Sequence, residues 1–270
     1  MSKRKLMLDT NVGEKLSSDI YGFDSKRIKG AIARDFRLVV SPQTLIELMN
    51  GVIGGTTDAH LQADQRRLRV FVGNGPPNIL RFPGDFALRT VLGIESNVPK
   101  FSPENFRLWV KAILSAKSQY ELVNGHVRIP NRGRMTVGLN KIAIANQQKE
   151  GKSTHREWLQ LAMSGTCAFP SREEWAKRIG VGLEVDLDLA QSVMLGERLS
   201  AAYEYQRNTF ETAAGNPKYN VTRHDSDWID NQHLFYLCDR DVFLLTDEKN
   251  IRGKCSVSDQ GNRVLLLKEM

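Results

Sequence analysis

The stretch Lys5-Leu6-Met7-Leu8-Asp9-Thr10-Asn11 decides the fold. Its apolar run, bounded by lysine on one side and Asp-Thr-Asn on the other, predicts a short buried strand that delivers an aspartate at its C-terminal end. In open α/β sheets that edge is where ligands are bound. Taken alone, Asp9 has a plainer reading as the N-cap of the next helical turn, because aspartate is a favoured cap. The rest of the chain weighs on the choice.

The same form recurs far downstream. Asp241-Val242-Phe243-Leu244-Leu245-Thr246-Asp247 is a second apolar run ending in aspartate, and Arg263-Val264-Leu265-Leu266-Leu267 predicts a last strand. Nearer the N-terminus, Ser25 to Arg34 predicts a helix with Ile28, Ala31 and Ile32 on one side, and Arg37-Leu38-Val39-Val40 another strand. Ser41-Pro42 then supplies a cap and a first-turn proline. The helix so opened is predicted over Gln43 to Asn50 with a stop at Gly51. Within it Leu45 and Leu48 face the core while Glu47 points back toward the end of the preceding strand, where Asp9 lies if the two strands are parallel neighbours.

Before the second aspartate-ended strand, His224-Asp225-Ser226-Asp227 leads into a helix predicted over Trp228 to Leu237, acid first as the helix dipole prefers. Asp227 and Asp230 are three residues apart and share a face of it.

Between these regions the chain is helix-rich. Ser102-Pro103-Glu104 opens a helix with Phe106, Trp109, Ile113 and Ala116 at helical spacing. Thr154 to Glu157 and Ser171 to Glu174 both have the form of a capping box, and Asp188 to Tyr205 predicts one long helix. Trp158 and Trp175 are assigned to the core, and the basic run Gln65 to Arg69 to a solvated helix face. His126 to Val137 alternates basic and apolar residues around Asn131-Arg132-Gly133, the pattern of a hairpin. Arg128, Arg132, Arg134 and Lys141 have few acids near them in sequence, so this segment is the candidate phosphate-contacting surface, alongside the plainer reading of an exposed hairpin.

Composition bounds the function classes. Of 270 residues, 41% are hydrophobic and 26% charged, which excludes a disordered or fibrous chain. No apolar run reaches the roughly 20 residues that span a bilayer, and the lysine-rich start lacks the apolar stretch of a signal peptide, so a cytoplasmic protein is predicted. Cys167, Cys238 and Cys255 are odd in number and far apart, suggesting neither a disulfide framework nor a zinc site, and Cys238 has a core setting. A net charge of +7 favours a polyanionic partner.

Asp9, Glu47, Asp230 and Asp247 thus stand at strand ends and on neighbouring helices, and in this order they resemble the motifs of the PIN-domain nucleases. The matching segments are Leu8-Asp9-Thr10-Asn11, Ser41-Pro42 to Glu47, Asp230 with its apolar helix, and Leu245-Thr246-Asp247. The resemblance implies a three-layer α/β fold with a central parallel sheet, formed by residues 1–55 and 220–270, with 56–219 as a mainly helical insertion. It also implies a metal-dependent endoribonuclease in which the four acids bind Mg²⁺ or Mn²⁺, and a metal-activated water attacks a phosphodiester. Asn11, Thr246 and Asp227 would orient ligands or waters around that ion, and the helix phase favours Asp230 over Asp227 as third ligand. RNA is the implied substrate ahead of DNA, with an antitoxin or a second copy of the chain as further partners, as in toxin-antitoxin pairs. Two other readings stand beside it. A haloacid-dehalogenase-like phosphatase also begins with an apolar strand ending in aspartate, but needs a carboxylate where Asn11 stands. A non-catalytic RNA- or protein-binding scaffold would use the acids as caps.

Overall fold

A computed structural model describes residues 3–18, 25–73, 77–96, 103–124, 128–129, 133–134, 141–224 and 227–270. The chain opens with β1 (Arg4–Leu8), α1 (Thr10–Ser17), α2 (Ser25–Asp35), β2 (Phe36–Val39), α3 (Pro42–Gly54) and α4 (Asp58–Val72). It continues through α5 (Pro83–Leu92), α6 (Pro103–Ser115), α7 (Gln119–Val123), β3 (Arg128–Ile129), β4 (Gly133–Arg134) and α8 (Lys141–Met163). The remainder comprises α9 (Arg172–Gly182), α10 (Leu189–Arg198), α11 (Ser200–Ala214), α12 (Asp227–Leu234), β5 (Val242–Thr246), α13 (Lys249–Cys255) and β6 (Val264–Leu266). The fold is α/β, and β1 with β2 and β5 with β6 form parallel pairs. Contacts divide the chain into two compact units, Met1–Arg81 and Lys100–Asn146 with Met270, and Phe82–Pro99 with Gln147–Glu269. Residues 56–219 contribute helices to both, so the predicted insertion and the compact units are different divisions of the chain.

In the first unit β1 is the buried strand its sequence predicts, with Leu6, Met7 and Leu8 in the core. It pairs with β2 in parallel, Leu6 opposite Leu38 and Met7 opposite Val39, and Val40 adds a parallel bridge to Ile79. Because the strands run the same way, Asp9 and Ser41 emerge on the same edge. Ser41 caps α3 through its Oγ, which accepts from the Thr44 amide at 3.0 Å, with Pro42 at the first turn as predicted. Gly51 does not end this helix. Val52 is another core position, and the helix runs to Gly54, where the Gly55 amide closes on the Gly51 carbonyl at 3.0 Å.

Around this pair, α2 buries Ile28 and Ile32, and α6 buries Phe106, Trp109 and Ile113. α4 turns Leu61, Leu68 and Phe71 inward and leaves Arg66 and Arg69 exposed, as expected of the basic run, while half-buried Arg67 faces Glu14 and Asp64. α1 lies against α4 so closely that a Cβ on Gly13 would stand 2.0 Å from Phe71 Cε2. β3 and β4 pair antiparallel with Arg128 opposite Arg134, as the predicted hairpin requires of these four residues; the rest of His126 to Val137 lies outside the described residues.

In the second unit β5 is buried from Leu244 to Thr246, and Leu245 pairs with Leu265 of β6. Thr154 to Glu157 opens nothing: the residues before it, from Lys141, are already helical, so no amide there awaits a cap. Ser171 does cap α9, its Oγ accepting from the Glu174 amide at 3.2 Å, while the Glu174 carboxylate takes Arg178 instead of closing the box. The long helix predicted from Asp188 is two helices broken at Leu199. Gln260 makes the break tolerable, because its Nε2 donates to the Arg198 carbonyl at 2.6 Å and its Oε1 accepts the Ala201 amide at 3.2 Å. α12 tightens after Leu234 into a 3-10 turn, Phe235–Cys238. Cys238 and Cys255 are buried, Cys167 is exposed, and none of the three forms a disulfide. Among the described residues no helix is long and apolar enough to cross a membrane.

Candidate metal centre

In the first unit the plain reading of Asp9 fails. Asp9 occupies the N-cap position of α1, yet its side chain makes no capping hydrogen bond. The first turn is closed by the Asp9 backbone carbonyl, which accepts the Val12 and Gly13 amides at 3.1 and 3.2 Å. The carboxylate does not serve as the cap, and the residue is only 4% exposed. Next to it, Thr10 Oγ1 donates to Glu47 Oε2 at 2.5 Å. That bond holds the acid of α3 at the N-terminus of α1. Asn11, one residue further into the helix, is exposed.

In the second unit α12 carries the chemistry. Asp230 is half-buried and accepts from the Tyr205 hydroxyl at 3.2 Å. Burial, reinforced by the Asp230 and Asp227 carboxylates, pushes the Tyr205 phenol well above its ordinary range, so it stays a donor. One turn beyond Asp230, buried His233 offers a ring nitrogen within 4.8 Å of a carboxylate oxygen of Asp230. This histidine is not among the residues that the sequence motifs single out. Its signal was Asp230-x-x-His233, a spacing that places both side chains on one helix face.

The choice between Asp227 and Asp230 is narrowed by what each touches. Asp227 Oδ2 accepts from Lys254 Nζ at 3.1 Å and faces His224 Nδ1 at 3.6 Å. Lys254 is itself held in place, donating to Thr209 Oγ1 at 2.9 Å and lying 4.6 Å from the centre of the Tyr205 ring. Asp227 therefore has a cation of its own, whereas Asp230 stands between a hydroxyl donor and an imidazole. Asp247 follows β5 and is half-buried. Thr246 is buried, and its Oγ1 accepts the Glu248 amide at 3.0 Å, which shapes the turn that carries Asp247 away from the strand. Asp225 and Arg132 lie outside the described residues, as do the side chains of Arg128, Arg134 and Lys141.

The donor chemistry suits a divalent cation. Carboxylate oxygens from Asp9, Glu47, Asp230 and Asp247 are the hard ligands that Mg²⁺ and Mn²⁺ take. An imidazole such as that of His233 extends the fit to transition metals. No protein-family model matches the chain, and no curated protein or solved structure matches it.

Proposed function

We propose that the chain is a Mg²⁺- or Mn²⁺-dependent endoribonuclease of PIN type, with Asp9, Glu47, Asp230 and Asp247 as metal ligands and RNA as substrate. The observation that carries this reading is Asp9: a buried carboxylate at the end of a parallel strand that does not cap the helix it begins. Each unit repeats the form, an aspartate following a parallel strand together with an acid on a helix, Glu47 in one and Asp230 in the other.

The ion, when bound, lowers the pKa of its water and neutralises charge developing on the phosphoryl oxygens. The side chains serve that chemistry in distinct ways. Thr10 fixes the carboxylate of Glu47, and Tyr205 fixes that of Asp230 without competing as a base. Lys254 neutralises Asp227 and so lowers the like charge around Asp230. In this proposal the basic hairpin, β3 and β4, provides the phosphate-contacting surface.

The test compares Asp9→Asn and Asp230→Asn for cleavage of single-stranded RNA with Mg²⁺ or Mn²⁺ and for Mn²⁺ affinity by calorimetry. Both variants should keep the wild-type circular dichroism and lose cleavage, and both should bind Mn²⁺ more weakly. Full cleavage by either variant sinks the proposal. Full Mn²⁺ affinity in one of them shows that the two aspartates do not share an ion.

A further inference from the structure

We propose that a cavity of about 470 Å³ in the second unit, beside α12, is a binding pocket for a nucleobase. Its volume falls in the range of about 300–1,000 Å³ typical of small-molecule sites. Three of the chain's four tryptophans line it, Trp158, Trp175 and Trp228, together with Phe169. Trp158 packs against Phe169 with ring centres 5.9 Å apart, and Trp175 against Phe235 at 5.8 Å, so the aromatic walls are packed ring against ring. Gly151 of α8 lets the indole of Trp228 come close, for a Cβ there would stand 2.6 Å from Cζ2.

The polar groups of the cavity define what fits between those walls. The Trp175 indole nitrogen can only donate, and it donates to Gln206 at 2.7 Å, which makes the Gln206 atom its carbonyl oxygen. That same oxygen accepts from Asn231 Nδ2 at 3.1 Å. Both amides are thereby oriented by each other and by the Trp175 indole. Asn231 is 7% exposed, and its Oδ1 is buried with no hydrogen-bond partner. The Trp228 Nε1 is likewise a buried donor with none. A buried acceptor and a buried donor without partners, on two residues that line one cavity, are costly unless something completes them.

The occupant that satisfies this arrangement is a flat heterocycle whose edge sets a donor beside an acceptor. Every nucleobase has such an edge, and single-stranded RNA is commonly read by stacking its bases on aromatic side chains while hydrogen-bonding that edge. Asp227 and Tyr205 also line the cavity, and Tyr205 holds Asp230. A base seated here lies next to the helix that carries a proposed metal ligand, so the pocket would set which nucleotide stands at the reacting phosphate. This last step rests on the nuclease reading; the pocket itself does not.

The experiment titrates the intact protein, in excess chelator, with the four ribonucleoside 5′-monophosphates and with ribose 5-phosphate as the baseless control, by calorimetry. At least one nucleotide should bind saturably and ribose 5-phosphate should not. Asn231→Leu should weaken that binding about tenfold, as expected for loss of a buried hydrogen bond. Thr154→Phe should abolish it, because Thr154 lines the cavity yet is exposed, so a ring there closes the mouth without entering the core. Circular dichroism and thermal melting show that each variant folds. No binding by any nucleotide, equal binding by ribose 5-phosphate, or wild-type affinity in a folded Thr154→Phe protein overturns the inference. Binding without metal-dependent RNA cleavage keeps the pocket and removes the nuclease; cleavage without nucleotide binding does the reverse.

Discussion

The hydroxyl of Thr10 reaches across 37 residues of sequence to donate to Glu47 at 2.5 Å. A charge-assisted bond of this kind contributes about 1.5–3 kcal/mol, and residues that orient metal ligands shift metal affinity by roughly 10–100-fold. Thr10→Val should therefore lower stability by about 1–3 kcal/mol in urea melts and weaken Mn²⁺ binding by roughly 10–100-fold, while Thr10→Ser restores both. Unchanged Mn²⁺ affinity in the valine variant would mean that the bond serves the fold alone.

Asp227 and Asp230 sit one turn apart on α12 but have different neighbours, a lysine for the first and a tyrosine hydroxyl for the second. Asp230→Asn should abolish metal-dependent cleavage, whereas Asp227→Asn should leave most of it. Lys254→Met should be the more disruptive change for stability. It strands a carboxylate whose side chain is 13% exposed, at a cost of about 1–3 kcal/mol, between the values for surface and buried pairs. The double variant Lys254→Met with Asp227→Asn should recover part of that loss. Loss of cleavage in Asp227→Asn comparable to that in Asp230→Asn would reverse the assignment of the third ligand.

Gly13 lies within the first helix turn after Asp9, and its missing side chain is what allows α1 to rest on Phe71. Alanine would gain about 0.5–1 kcal/mol from helix propensity but must displace a buried ring, and overpacking costs about 1–3 kcal/mol or more. Gly13→Ala should thus lower stability by up to about 2.5 kcal/mol net, the difference of those terms. Adding Phe71→Leu should return part of it, with the two changes failing to add. A stabilised Gly13→Ala protein would mean that α1 shifts freely, and Asp9 with it.

What was legible in the sequence was local. The apolar runs before Asp9 and Asp247, and the Ser41-Pro42 helix start, each depend on residues adjacent in the chain, and each appears as predicted. Gly51 misled because a glycine ends a helix only where the next turn has nothing to bury, and Val52 is a core residue. The break at Leu199 could not be read because the residue that satisfies it, Gln260, is about 60 positions away. The ion pair of Asp227 with Lys254 is hidden for the same reason. Whether Asp9 caps α1 turns on a single side-chain rotamer, which no pattern of residue types encodes.

The second unit buries groups that would ionise in alkali, and this fixes how its stability depends on pH. Burial pushes the Cys238 thiol from 9.0 up to about 12 and the Cys255 thiol up to about 11. It raises Tyr219 to about 12, and Tyr205 and Tyr236 well above the usual phenol range. A group whose folded value is raised releases its proton more easily when unfolded. Its contribution is therefore complete below the unfolded value and is lost as pH climbs toward the folded one. Stability should hold up to about pH 9 and fall progressively toward about pH 12, the interval spanned by the Cys238 shift. Urea denaturation across that interval measures the fall. Cys238→Ala removes one titrating group and should make the fall shallower, while absorbance should show Tyr205 and Tyr236 ionising only as the protein unfolds. A flat stability profile, or early ionisation of every phenol in a protein that is still folded, would show that these groups are accessible to water in the native state.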